Sequence, residues 1–302
     1  MLYNVLAVLI GLLVMPIMLI WLWKTEPKCI LEWILNFLMI GLFVLFMYFS
    51  GLWAYITGYY AKYLVLVLFV FIAFITSKKA RHLNFLCTPT KASKFSFCYK
   101  TLLIFVFLFI NLSIMFSFFN KEDIVNLSFP FKDGDYYVAH GGNSSILNYH
   151  NSSPYMKYAI DMVKLNEFGF RADGLFPKQL EKYKIYGEKV FSPCSGKVIE
   201  AVDGREDYPP GIYMPNKRKA QANYIIIETG NIRVRMVHFQ KDSIKVQAGD
   251  NVKDGQLIGL VGDSGLSFEP HLHMHVTQNG YGVKFMLNGK YLKRNDLIKI
   301  DD

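Results

Sequence analysis

Long apolar runs fill the first 120 residues of the chain, and short segments bounded by turn residues replace them afterwards. Each run can form a helix of about 20 residues, which is the length needed to cross a hydrocarbon core of about 30 Å. The pattern therefore predicts an N-terminal α-helical membrane domain with about four transmembrane helices, whose simplest role is that of an anchor. The predicted spans are Leu2–Trp23, Ile30–Ile56, Lys62–Ile75 and Thr101–Phe119.

From about Asn120 onward, charged residues are frequent, and Gly and Pro separate short β-branched segments. Such spacing is typical of an all-β sandwich or barrel. We therefore predict two domains, a transmembrane helical domain over residues 1–119 and an all-β domain with antiparallel sheet over residues 120–302. The predicted strands are Val190–Val202, Ala222–Glu228, Arg233–His238, Ser243–Val246, Leu257–Val261 and Leu272–Val276.

Two segments of the β domain are predicted not to be strands. Lys178–Lys184 is the only helix predicted outside the membrane, and Arg205–Gln221, with three prolines and a basic cluster, is predicted to be an exposed loop.

Composition and charge exclude two classes of protein. With 52% hydrophobic and 19% charged residues, the chain is too apolar to be disordered. Nine basic and two acidic residues over residues 1–119 account for +7 of the net charge of +9. The basic excess thus belongs to the membrane half, and we expect no nucleic-acid partner.

The loop Ser77–Lys100 carries six lysines and arginines, more than any other loop between the apolar runs. Basic residues beside membrane spans are retained on the cytoplasmic side. The distribution therefore predicts a multi-pass membrane protein whose C-terminal domain is extracytoplasmic. The loop with Lys24 and Lys28 is then cytoplasmic as well.

The four cysteines are too few and too scattered for a disulfide framework. In the predicted orientation Cys29, Cys87 and Cys98 lie on the reducing side, and Cys194 is alone outside. We therefore expect no pairing among them, and interpret Cys194 as a packing residue.

Six of the seven histidines fall in the β domain, and three of these alternate as His271, His273 and His275. Alternate residues of a strand share one face, so these imidazoles are expected to line one side of a sheet. Zinc is bound by imidazole and carboxylate groups, and His150 and Asp161 upstream supply one of each. The sequence thus predicts a metal site.

Taken together, segments from Ala139 to Val276 resemble the M23 family of zinc metallopeptidases, which includes the lysostaphin and LytM-like peptidoglycan endopeptidases. The pieces occur in the family's order. They are Asn148–His150 with Tyr158–Asp161, Gly187–Gly196, Met236–His238, Ala248–Gln256 and Gly262–His273.

The resemblance implies an enzyme with one zinc ion per chain, held by His150, Asp161 and His273. It implies that His238 and His271 flank the metal-bound water and help to activate it or to stabilise the tetrahedral intermediate. The expected reaction is hydrolysis of amide bonds in peptidoglycan, in its peptide stems or cross-bridges. The expected partners are therefore the peptidoglycan of the cell wall and the lipid bilayer.

The sequence departs from the family's pattern at the first ligand. Many members place a histidine four residues before the aspartate, where this chain has Lys157, whereas His150 stands eleven before Asp161. His140 is therefore a rival for the first ligand. His275 occupies a position where the family often carries Glu or Gln, and is interpreted as supporting a ligand or as structural. His82 lies in the basic loop and is predicted to be unrelated to the site.

Two other functions remain open. A catalytically inactive module of the same fold could bind cell wall or a partner at the surface, and would be expected to lack a ligand or a flanking histidine. A phosphocarrier domain of the glucose-permease type also combines β structure with paired histidines, but it works in the cytoplasm, against the predicted orientation.

Overall fold

The computed structural model describes residues 13–88, 90–119, 124–211 and 221–300 of the chain. The chain divides into two compact units, Met1–Phe116 and Ser117–Asp302. The first unit is helical and the second is built mainly of antiparallel strands, which confirms the predicted fold class.

The helical unit contains four helices of ten or more residues and one short helix among its described residues. Helices α2, α4 and α5 are long and apolar enough to cross a membrane. Helix α1 is shorter, but residues 2–12 of the first predicted span lie outside the described residues. The helices are α1 (Met15–Lys24), α2 (Ile30–Ser50), α3 (Trp53–Ile56), α4 (Ala61–Ala80) and α5 (Lys91–Phe116).

Two helix boundaries differ from the sequence prediction. The run predicted as one span breaks at Gly51, because the Trp53 indole donates a hydrogen bond to the carbonyl of Met47 and leaves no space for a side chain at the glycine. Helix α5 begins at Lys91 rather than Thr101, because Thr90 and Ser93 cap it reciprocally through their hydroxyl groups.

The expectation that Cys29 and Cys87 are unpaired was wrong, because a disulfide bond joins them. The segment that enters α2 lies beside the segment that leaves α4, and the amide of Ile30 donates to the carbonyl of Asn84. This contact brings together two cysteines separated by 58 residues in sequence. Cys98 and Cys194 are free thiols.

The β unit is organised around a sheet of nine strands with the order β13-β2-β3-β10-β7-β6-β5-β8, and β11 pairs with β10. The pairs β4–β9 and β1–β12 form two small sheets. The strands are β1 (Ile124–Leu127), β2 (Gly134–His140), β3 (Ile160–Leu165), β4 (Lys189–Phe191), β5 (Gly196–Val202), β6 (Tyr224–Thr229), β7 (Ile232–Val237), β8 (Asn251–Val252), β9 (Leu257–Leu260), β10 (Leu272–Gln278), β11 (Tyr281–Gly282), β12 (Lys284–Leu287) and β13 (Leu297–Ile300).

One face of the large sheet forms the hydrophobic core of the unit. Val234 and Met236 of β7 and Met274 of β10 are fully buried in it, and Val190 of β4 and Ile258 of β9 belong to the same cluster. The small β4–β9 sheet therefore packs on this face. The residues between these positions, including the histidines of β10, point to the other face.

Several predicted elements of the β unit need correction. Val190–Val202 is two strands, β4 and β5, separated by a turn at Pro193. Ser243–Val246 is not a strand, because among its backbone groups only the Lys245 amide bonds to a strand residue across from it. Lys178–Lys184 contains only a short 3-10 turn, and most of the predicted loop Arg205–Gln221 lies outside the described residues.

Candidate functional site

Polar side chains form a row across adjacent strands on the face of the sheet opposite the core. His140 of β2 pairs with Asp161 of β3, Asp161 pairs with His273 of β10, and His273 pairs with Val237 at the end of β7. Directly paired residues of antiparallel strands share a face. The strand register alone thus brings together side chains that are far apart in sequence.

Asp161 lies at the centre of this row. Its Oδ2 is 2.9 Å from His150 Nε2, and its Oδ1 is 2.8 Å from His273 Nδ1. All three side chains are buried, and one ligand atom from each lies within 4.8 Å of the others. Burial opposes ionisation of Asp161, but the neighbouring His150 and His271 and its hydrogen bonds hold the pKa of the carboxyl well below its usual value.

His150 is placed by a 3-10 turn, Tyr149–Ser152, and by the buried side chain of Asn148. The side-chain oxygen Oδ1 of Asn148 accepts from the backbone amide of His150, while its Nδ2 donates to the backbone carbonyl of Ala159, which precedes β3. One amide thus ties the segment of His150 to the strand of Asp161. The sequence indicates Asn148 only as part of a motif, because its hydrogen-bond partners are not apparent from local sequence.

His275 contacts the second ring nitrogen of His273. His273 directs Nδ1 at Asp161, and its Nε2 is 2.9 Å from His275 Nδ1. The anionic Asp161 carboxylate only accepts, so Nδ1 carries the proton of the neutral His273 ring, and Nε2 accepts from Nδ1 of His275, which fixes the orientation of the ring. Burial, followed by the effect of His273 and Arg235, lowers the pKa of His275 to about 2, so this imidazole is neutral at neutral pH.

His238 immediately follows β7 and has a backbone φ of +73°. Continued strand alternation would place it on the core face with Met236, but the left-handed conformation ends the strand and changes the direction of the side chain. Its ring centroid lies 4.6 Å from that of His271. Burial and the nearby His271 and His273 lower its pKa well below the usual value.

His238 and His271 have the same hydrogen-bonding arrangement. Nδ1 of His238 is 2.7 Å from the carbonyl oxygen of Ser264, and Nδ1 of His271 is 2.8 Å from that of Glu269. A carbonyl only accepts, so Nδ1 carries the proton in both rings and Nε2 is unprotonated when the ring is neutral. For His271 this nitrogen lies 3.7 Å from Asp161 Oδ1. Both rings can therefore accept a proton at Nε2.

His140, the rival first ligand, lies at the edge of the group. Its Nδ1 is 2.5 Å from Nη2 of Arg294, and its ring packs edge-on against Tyr149. Burial and the charge of Arg294 lower its pKa well below the usual value. A guanidinium donor at Nδ1 disfavours a cation at the same atom, and the converging set of three contains His150 instead.

The remaining histidine and cysteine considered in the sequence do not belong to this cluster. His82 is exposed in the helical unit, where the neighbouring Arg81 donates to its Nε2. Cys194 packs against the core, and burial followed by the charge of Asp254 raises the pKa of its thiol to about 11. A thiol with such a pKa is a weak nucleophile at neutral pH.

The donor set fits zinc. Two imidazole nitrogens and one carboxylate oxygen are ligands of borderline hardness, and three protein ligands are the usual number at a catalytic zinc site with one open position. The ligand atoms of His150, Asp161 and His273 already converge, and Asp161 is held in its anionic form. These three side chains therefore need to move only a small distance to surround one ion.

Comparisons with known proteins agree with this chemistry. The sequence profile of peptidase family M23 matches residues 182–285, a range that includes His238, His271 and His273 but neither His150 nor Asp161. Over 156 residues the chain is 27% identical to the peptidoglycan DD-endopeptidase ShyA of Vibrio cholerae, an alignment that covers 51% of this chain. The chain spans only a third of that relative's length, since 33% of it is covered.

Two solved structures illustrate the similarity. The catalytic domain of lysostaphin from Staphylococcus simulans is 27% identical, with a TM-score of 0.26, and the match covers 40% of this chain and 67% of that one. A zinc-containing peptidase from Vibrio cholerae is 23% identical, with a TM-score of 0.26, over 41% of this chain and 48% of that one.

Proposed function

We propose that the chain is a membrane-anchored zinc metalloendopeptidase of peptidase family M23 that hydrolyses amide bonds in the peptides of cell-wall peptidoglycan. The observation that carries the proposal is the convergence of His150, Asp161 and His273 in one buried cluster. The relatives named above, a peptidoglycan endopeptidase and lysostaphin, favour peptide stems or cross-bridges as the substrate.

The ligands would be His150 through Nε2, Asp161 through its carboxylate and His273 through Nδ1, with one zinc ion per chain. The chemistry that zinc supplies when bound is polarisation of the amide carbonyl and activation of water. Asn148 and His275 hold the two ligand imidazoles in place. Pre-oriented ligands reduce the rearrangement needed when the ion binds.

His238 and His271 would handle the proton. Each ring has Nδ1 bonded to a backbone carbonyl, so Nε2 can accept a proton from attacking water and return it to the leaving amine. The lowered pKa of His238, caused first by burial, keeps that ring in its neutral, proton-accepting form. Protonated after the first transfer, either ring can also stabilise negative charge on the substrate oxygen.

The helical unit would anchor the enzyme in the bilayer. Helices α2, α4 and α5 have sufficient length and hydropathy, and the basic loop between α4 and α5 favours a cytoplasmic position for that loop. Residues 1–119 would then form the membrane domain, and residues 120–302 an extracytoplasmic peptidase domain on the side where peptidoglycan lies. No nucleic-acid partner is included in the proposal.

The alternative is an inactive module of the same family that binds wall or a surface partner. Such a module is expected to lack a ligand or a flanking histidine. Here the three converging groups and both flanking histidines are present together. This completeness favours the enzyme.

The test uses the full-length chain purified in detergent and incubated with isolated peptidoglycan. We expect new amino termini in the released fragments, loss of cleavage with a chelator, and recovery when zinc is added. His273→Ala should be inactive, and His82→Ala, which removes an exposed histidine of the helical unit, should cleave normally. Cleavage by His273→Ala would refute the proposal, and a zinc-loaded wild type that binds but never cleaves peptidoglycan would support the inactive module.

A further inference from the structure

A buried ion pair joins the segment after β3 to the turn before β10. Arg171 Nε lies 2.6 Å from Glu269 Oε1, and Arg171 Nη2 lies 2.8 Å from Glu269 Oε2. Only 2% of the arginine side chain and 4% of the glutamate side chain are exposed. Two parallel charge-assisted hydrogen bonds in a buried site fix both partners in distance and in angle.

The arginine is itself held in place by its own segment. Its Nη2 also donates to the carbonyl oxygen of Leu175 at 2.9 Å. The guanidinium lies over the ring of Phe176 at 5.3 Å and that of Tyr183 at 5.7 Å. Arg171 is therefore a rigid point of attachment for Glu269.

Glu269 in turn lies two residues before His271 and contacts its ring through the backbone. The carbonyl oxygen of Glu269 accepts from Nδ1 of His271 at 2.8 Å and from the hydroxyl of Ser267 at 2.7 Å. Pro270 stands between the two residues, so its ring limits the backbone freedom of the connection. The position of the Glu269 carbonyl thus depends on where its side chain is held.

We propose that Arg171 and Glu269 are positioning residues for His271. The ion pair fixes the turn before β10 and so holds the Glu269 carbonyl oxygen at hydrogen-bonding distance from Nδ1 of His271. This contact keeps the proton of the neutral His271 ring on Nδ1. Nε2 then remains the unprotonated nitrogen on the side of Asp161, 3.7 Å away. The effect on turnover rests on the proposed hydrolase function, whereas the effect on the protonation pattern of His271 does not.

The main test compares the wild type with the double variant Arg171→Met, Glu269→Leu. Replacing both members of a buried ion pair by apolar residues of similar size is often neutral for stability, so this variant is expected to fold. We expect one zinc per chain as in the wild type, a turnover number reduced about tenfold or more, and a KM changed by less than about twofold. Arg171→Lys, which keeps the charge but loses the paired geometry, should show a smaller loss of turnover.

A second measurement is independent of activity. Nitrogen NMR of the full-length chain with labelled histidine reports which ring nitrogen carries the proton, and comparison with His271→Gln assigns the signals of His271. We expect the Nδ1-protonated form alone in the wild type and a mixture of both forms in the double variant. This measurement decides the proposal even if no substrate is cleaved, and Arg171→Lys supplies the same measurement if the double variant does not fold.

A matched control is the exposed ion pair between Arg233 and Glu228, whose side chains are 61% and 42% exposed. Arg233→Met should leave turnover and the His271 signals unchanged. The proposal is overturned if the variants at Arg171 and Glu269 keep the wild-type protonation pattern of His271. It is equally overturned if Arg233→Met alters His271 to the same extent.

Discussion

Asp161 and His273 face each other directly on adjacent antiparallel strands, with Asp161 Oδ1 2.8 Å from His273 Nδ1. Their distance is therefore set by the register of β3 against β10 and not by a flexible loop. A slip of one residue would send one of the two side chains to the core face. The separate pairing of β2 with β3 places His140 beside Asp161, which explains why two histidines compete for the position of the first ligand.

The first prediction decides between these two histidines. Because His150 Nε2 is 2.9 Å from Asp161 whereas His140 Nδ1 is bonded to Arg294, we expect His150→Ala to lose bound zinc and His140→Ala to retain about one ion per chain. Metal analysis of the purified full-length variants measures this. Retention of zinc by His150→Ala together with its loss from His140→Ala would reverse the assignment.

A second prediction concerns the left-handed backbone of His238. His238→Ala and His238→Gly should both keep zinc and lose about 100-fold or more in turnover, because both lack the imidazole. Glycine adopts a φ of +73° without strain, so His238→Gly should be the more stable of the two by about 1 kcal/mol. Thermal unfolding compares them. Equal turnover in His238→Ala and wild type would remove His238 from the mechanism.

The pH dependence of stability provides a third prediction. Burial lowers the pKa of His140 and His238 well below 6.5, and that of His275 to about 2, whereas in the unfolded chain each binds a proton below about 6.5. The unfolded state thus binds more protons, and the free energy of unfolding falls as the pH drops below about 6.5. Each neutral histidine contributes a slope of about 1.4 kcal/mol per pH unit.

This dependence is measured from the melting temperature of the metal-stripped protein. The pH is varied from about 7.5 to about 5, a range that includes the usual pKa of histidine. His275→Gln should show a flatter dependence than the wild type, and His82→Gln, at an exposed position, should not. An unchanged slope in His275→Gln would show that this ring is protonated in the folded protein.

The fourth prediction concerns orientation in the membrane. Lys94 in the basic loop and Lys178 in the β unit are both exposed, and each can be replaced by cysteine in a chain whose free Cys98 and Cys194 are changed to serine. The probe is a thiol reagent that does not cross the cell membrane but can reach its outer surface in the cells used. Under the proposed orientation this reagent labels Lys178→Cys and does not label Lys94→Cys.

The disulfide bond makes this experiment sharper. Cys29 and Cys87 lie next to the basic loops, and the proposed orientation exposes them to the reducing cytoplasm. Because the structure pairs these two cysteines, treatment of intact cells with an alkylating agent before lysis tests whether the bond is already formed there. A bond already present in quenched cells, with labelling of Lys94→Cys, would invert the orientation and place the β unit inside.

Sequence patterns could predict β7 and β10 but not β2 and β3. The first two alternate between core and site positions, with apolar residues such as Met236 and Met274 on the core face. In β3 the polar side chains of Asp161 and Lys164 interrupt the apolar pattern, although the strand is almost entirely buried. Polar residues on a buried face of a strand interrupt the alternation of apolar and polar residues from which strands are predicted.

The candidate ligands could be chosen from sequence because their residue types limit the chemistry. The groups that support them could not, since their partners lie far away along the chain. Arg171 and Glu269 are separated by 98 residues, and Asn148 acts mainly through backbone carbonyls that no side-chain pattern reveals. The same holds for Cys29 and Cys87, whose proximity depends on the packing of helix ends.

The sequence separation of 112 between Asp161 and His273 has a consequence for biogenesis. The strand that carries His273 lies near the C-terminal end of the β unit, yet it inserts between β3 and β7, which leave the ribosome earlier. A growing chain therefore holds two of the three converging groups and cannot complete the set until β10 has been made and has paired. Under the proposed function, hydrolysis therefore cannot begin before β10 has paired, so that a chain emerging without this strand cannot yet attack its surroundings.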